Sequence, residues 1–124
     1  MAIDSILDTV RGGMAQERLR LDAASRNIAS ANVALPADAD AQRWQVGTGR
    51  DFANHLQAVS AATREISDPG HPMANAEGFV RYARVDMAQE MTTLMTASRG
   101  YEANVRSFNL LRGMTLRALD IGAK

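Results

Sequence analysis

The chain has 124 residues, 46% of them hydrophobic and 23% charged, which suits one ordered domain. Its 14 basic and 14 acidic residues cancel, which argues against capture of nucleic acid or an anionic membrane by charge. Cysteine is absent, so disulfides and thiolate metal sites are excluded, and with aromatics at 5% a large core must be mostly aliphatic and methionine-based.

The first zone runs from about Asp4 to Asn32 without proline. Ile3, Leu7, Val10, Met14, Glu17, Leu21, Ala24, Ile28 and Ala31 recur at alternating steps of four and three, and all but Glu17 are apolar. Such a stripe predicts a helix that packs lengthwise on another helix. Asp4 or Ser5 is the expected cap, with Ser5 and Asp8 at capping-box spacing. Gly12 and Gly13 are a weak point, each costing about 1 kcal/mol in a helix interior. The opening residues lack a basic n-region and are no cleavable secretory signal, and no apolar run reaches membrane-spanning length. The expectation is a cytosolic protein or one exported by a route that needs no such signal.

The middle zone, 34–84, holds all three prolines and four of the nine glycines. "RWQVGTGRDF" predicts a short strand and a turn. The 51–66 segment is ambiguous: Phe52, Leu56, Val59 and Ile66 fit one helical face, and on periodicity alone a helix is favoured. In "DPGHP", from Asp68 to Pro72, Pro69 and Gly70 suit a type II turn, because proline presets φ and glycine admits a positive one. A second turn at Gly78 then leads into the alternating "FVRYARV", a short strand.

The third zone, about Asp86 to Ile121, again lacks proline. Asp86 is the expected N-cap, with Gln89 placed to complete a box, and Gly122 the expected terminator. The stripe Met87, Met91, Leu94, Ser98, Tyr101, Val105, Phe108 slips by one residue to Leu111, Met114, Ala118 and Ile121. A slip of that kind turns the seam around the helix.

Candidate chemistry is sparse. His55 and His71 are the only histidines, and a metal site would need them to converge with Asp68 or Glu77. No nucleophile elbow, P-loop, zincin or dinucleotide motif is present. The expectation is no enzyme, no cofactor, no metal and no small-molecule substrate. Apolar side chains off the two stripes carry more information: Ile6 and Leu19 in the first zone, Leu110, Leu116 and Leu119 in the third. Leaving such a side chain in water forfeits roughly 1.5–3 kcal/mol. Two helices bury one stripe each, so the chain is expected to finish its core by assembly.

Three segments carry a resemblance. "DPGHPMANAEGFVRYARVD", "EMTTLMTASRGYEANVRSFN" and "MAQERLRLDAASRNIASANV" together span well over half the chain. They resemble the FlgC-type proximal rod proteins of the flagellar rod and hook family. Ser30, Val33 and the Ala83-Arg84 pair depart from that family's usual residues. The resemblance implies a mainly α fold: an antiparallel coiled-coil hairpin of the terminal helices, 1–33 and 85–124, around a small β-containing insertion at 34–84. It favours extended structure over helix for 51–66. It implies a structural subunit that polymerises with other rod proteins and copies of itself into the torque-transmitting shaft across the periplasm. Contacts with inner-membrane ring components and passage through the flagellar type III export apparatus without a cleaved signal peptide follow from the same likeness. A helical-hairpin adapter or export regulator derived from the family is the alternative.

The residues expected to pack the two helices within one chain are Leu7, Val10, Met14, Leu21 and Ile28 against Met91, Leu94, Tyr101, Val105 and Phe108. Candidate contacts between subunits are Asn27, Arg99, Tyr101, Asn104, Leu110 and Leu116. The turn and cap positions are Asp68, Pro69, Gly70, Pro72, Gly78 and Asp86.

Overall fold

The structure, a computed structural model, describes residues 2–47 and 55–123. Two long helices flank a small β region: α1 (Ala2–Ser30), β1 (Ala34–Leu35), β2 (Gln42–Val46), β3 (Leu56–Ser60), β4 (Thr63–Ser67), β5 (Phe79–Ala83) and α2 (Met87–Gly122). At about 1.5 Å per residue α2 is roughly 54 Å long.

The helices meet along their lengths, with rising numbers on α1 against falling numbers on α2. Arg11 lies over the Phe108 ring at 5.4 Å, Gly13 sits under Asn104, Glu17 covers Gly100, and Asn27 reaches Glu90. α1 starts upstream of the expected caps. Asp4 and Ser5 lie inside it, where the Ser5 carbonyl accepts from the Thr9 hydroxyl, and the helix runs unbroken through Gly12 and Gly13. At α2 the Asp86 carboxylate accepts the Gln89 N–H at 3.1 Å, as an N-cap should. Gly122 does not terminate it in a left-handed turn. The cap is Ala123 in ordinary right-handed conformation, its N–H donating to the Leu119 carbonyl, so no positive φ is needed there.

The 51–66 segment is extended where it is described, against its helical periodicity and in line with the family likeness; Phe52 lies outside the described residues. β3 and β4 are two halves of one extended run that changes partners. β3 pairs antiparallel with β2, with Trp44 opposite Ala58; β4 pairs antiparallel with β5, with Ile66 opposite Val80. The switch falls at two alanines: Ala61 donates to the Ala41 carbonyl, and Arg84 donates to that of Ala62. Successive residues of a strand point their backbone groups to opposite edges, so β2 and β5 lie on opposite sides of this run. Backbone pairing, rather than propensity, decides the segment. β1 completes a three-stranded sheet in the order β1-β5-β4.

The Asp68–Gly78 corner is built from successive turns. The Asp68 carbonyl accepts from His71 at 3.1 Å, but Gly70 does not take a positive φ, so the turn is not type II. The next turn starts at once, Ala74 donating to the His71 carbonyl, so the chain coils through the Pro69-Gly70 pair with right-handed backbone. The left-handed residue is Gly78, at φ 84°. There the Asn75 side chain accepts from both Glu77 and Phe79, and the Gly78 carbonyl accepts from Asp68. A Cβ on Gly78 would stand 3.1 Å from Cγ of Pro69. Gly78→Ala is therefore expected to cost about 2 kcal/mol from backbone strain and crowding together, read as a lower urea midpoint at unchanged slope.

The fully buried apolar residues are mostly small: Ala23, Ala24, Ala31, Ala41, Ala83 and Ala97, with Val80 the largest. They lie where the β region meets the adjoining ends of the two helices.

Candidate functional site

Asn27 joins three elements with one side chain. Gly47 donates to His55 and Ala61 to Ala41, and the alternation between them leaves Trp44 with its N–H and C=O on the outer edge of β2. Asn27 closes that edge as a neighbouring strand would. Its Oδ1 accepts the Trp44 N–H at 2.7 Å, and its Nδ2 donates to the Trp44 carbonyl at 2.9 Å. The same Nδ2 also donates to Oε1 of Glu90 on α2 at 3.2 Å. Asn27 is 2% exposed and Glu90 9%. An edge that could pair with another chain is thus capped from within. Arg26 stacks on the Trp44 ring at 4.8 Å and is held by Asp22 at 3.0 Å. Another arginine ties the chain just past the same end of α1 to the sheet: Arg64 stacks on Tyr82 and donates to the Ala31 carbonyl at 2.9 Å.

Asn27 was expected as a contact between subunits; its amide is used within the chain instead. Trp44 and Glu90 were not singled out. The one available signal was Asn27 itself, a polar residue one step from the apolar stripe. Asn104 is half-buried, packs over Gly13 and donates to the Gly100 carbonyl at 2.9 Å. Arg99 is exposed, and Tyr101 lies at the edge of the helix pair, 37% exposed.

Of the expected packing residues, Leu7, Val10, Met14, Leu21 and Ile28 on α1 are half-buried, as are Leu94, Val105 and Phe108 on α2. Met91 is on the surface with Met87 and Met95. The inward face of α2 instead carries Glu90, Ala97, Gly100 and Asn104, about one residue round from the apolar stripe.

No chemistry gathers in the turns. The His71 ring nitrogen Nδ1 accepts the Met73 N–H at 3.0 Å. Among the described residues no three His, Asp or Glu side chains come together as metal ligands, and no helix is long and apolar enough to cross a membrane. What the surface does offer is oil. Leu110, Met114, Leu116, Leu119 and Ile121 are all more than half exposed, Ile121 at 77%. In the register set by Glu17 and Gly100, Ala2 comes level with Thr115, so 116–122 have no described α1 residue opposite. Ile3 and Ile6 add to the same end. At about 100° per residue Leu110, Met114 and Ile121 share one side of α2 and Leu116 and Leu119 another, so this end exposes apolar side chains around much of its circumference, as an interaction site does.

Comparison with known proteins gives the family. The family described as flagellar basal body rod FlgEFG protein, C-terminal, matches residues 76–121. A Salmonella typhimurium protein named flagellar basal-body rod protein FlgC is 31% identical over 98% of this chain and 99% of its own length. The Escherichia coli O157:H7 protein of that name is 31% identical over the same shares, and the Bacillus subtilis one 30% identical over 94% of this chain and 95% of its own.

Proposed function

Because the chain belongs to the FlgC family of flagellar basal-body rod proteins, we propose that it is a structural subunit of the proximal rod that polymerises through its terminal helices. In this reading 1–33 and 85–124 form an antiparallel coiled-coil hairpin and 34–84 an insertion held to it by Asn27. The observation that carries it is the apolar end of α2, where Leu110, Met114, Leu116, Leu119 and Ile121 are all more than half exposed. Neighbours in the rod, copies of itself and other rod proteins, would cover that end. Torque would then pass through many packed helices, with no catalytic residue required. Leu110 and Leu116 are the foremost contacts between subunits, with Arg99 and Tyr101 as further contacts nearer the middle of α2. Transit through the flagellar type III export apparatus without a cleaved signal peptide, residence in the periplasm-spanning rod and seating near the inner-membrane ring complete the proposal.

The test is composition and loss. Basal bodies purified from the bacterium should contain this chain together with other rod proteins, and deleting its gene should abolish the rod and motility. Recovery of the chain only as a discrete soluble dimer or heterodimer, with motility intact, would replace the rod subunit with the adapter alternative.

A further inference from the structure

Along the outer side of α1 runs a groove of about 810 Å3, with Tyr101 of α2 as its far wall. Met14, Arg18, Leu21 and Ser25 line it at steps of four, three and four, so they share one side of the helix. Asp22 stands on its rim. Met14 and Leu21 are half-buried and Tyr101 is 37% exposed. Arg18 makes no ion pair among the described residues, leaving Asp22 to Arg26.

The uncovered end of α2 carries the matching series. Arg112, Leu116, Leu119 and Ala123 stand at the same steps on one side, with Asp120 beside them. Leu116 and Leu119 are 54% and 64% exposed, and neither Arg112 nor Asp120 has an ion partner among the described residues. Laid antiparallel in the groove, this series sets Ser25 level with Arg112, Leu21 with Leu116 and Arg18 with Leu119. Arg18 and Asp120 then fall one residue apart on the same flank, and Arg112 comes within a turn of Asp22. Laid parallel, the series would bring Asp120 level with Asp22, acid against acid. Rim charges of this kind choose direction and register more than they add affinity. The direction they choose is the one that stacking offers. α1 and α2 already run antiparallel within the chain, so copies held in one orientation present α2 antiparallel to a neighbour's α1.

We propose that this groove receives the C-terminal end of α2 from a second copy of the chain. Leu116 packs on Leu21, Leu119 lies between Met14 and Tyr101, and Asp120 pairs with Arg18 at the rim. The proposal rests on the rod reading and adds the receiving surface to it. Leu110, Met114 and Ile121, on another side of the same helix end, remain for other neighbours.

The chain has no cysteine, so an introduced pair reports the register directly. Ser25→Cys with Arg112→Cys, both on exposed side chains, should give a crosslinked dimer of this chain when purified basal bodies are oxidised. Ser25→Cys with Met114→Cys, which points to another side of the helix, should not. A second measurement keeps the register testable if cysteine hinders assembly. Arg18→Asp and Asp120→Arg alone should each shrink the swimming halo at least about twofold, and the two together should restore it. Crosslinking to a different rod protein would overturn the second copy as occupant. Equal crosslinking of both cysteine pairs, or a charge exchange that restores nothing, would overturn the register while leaving the rod reading in place. Absence of the chain from basal bodies would remove both.

Discussion

Asn27→Ala is expected to destabilise the chain by about 3 kcal/mol, lowering its melting temperature by roughly 10 °C. The substitution removes little volume, so the cost is polar. Three hydrogen bonds disappear together, and the groups left behind are the Trp44 N–H and carbonyl and the Glu90 carboxylate, which is 9% exposed. Deserted partners that are screened from water cost more than the bonds themselves contribute. Asn27→Asp should be no better, because it keeps the acceptor for Trp44 but sets a second carboxylate against Glu90 and turns no donor toward the Trp44 carbonyl. Trp44 is the only tryptophan, so its fluorescence during urea unfolding reads the junction directly. A loss below about 1 kcal/mol for Asn27→Ala would mean that β2 is held to α1 by something else.

The second large effect falls on assembly and leaves the isolated fold alone. Leu110→Asp and Leu116→Asp alter side chains that are 67% and 54% exposed. Each should change the stability of the purified chain by no more than about 0.5 kcal/mol, as surface substitutions do. In a rod, each leucine would gain roughly 1.5–3 kcal/mol on burial, and an aspartate in its place would also have to shed water without a partner. The expected outcome is soluble, normally helical protein, absent from purified basal bodies, and cells that no longer swim. Full motility with both substitutions together would remove this end of α2 from the interface.

Much of the molecule is written in local pattern. Two proline-free stretches with heptad-like apolar spacing determine two long helices, because a helix turns by a fixed angle and its buried side must repeat with it. Asp86 determines where α2 starts, since a short acceptor before a helical run satisfies a free N–H. The β-strand after Gly78 and the turn at Gly78 are legible for equally local reasons, whereas the type II turn expected at Pro69-Gly70 does not form. So is the excess of apolar side chains that leaves a flank for neighbours. The quoted motifs carried the family.

Tertiary structure alone decided the rest. Apolar spacing pointed to Met91 and Tyr101 as the inner face of α2, yet the helices meet through Glu90, Ala97, Gly100 and Asn104. Close approach selects small residues and hydrogen-bonding pairs, which hydrophobic periodicity does not count. The run from Leu56 to Ser67 has helical spacing but becomes two strands, because β2 and β5 offer backbone partners that no periodicity within the run can reveal. Asn27 reads as a candidate contact between subunits until Trp44 and Glu90, 17 and 63 positions away, arrive beside it. A pattern along the chain reports what each residue prefers; which groups meet depends on loop closures between distant segments, and those are set only when the whole chain folds.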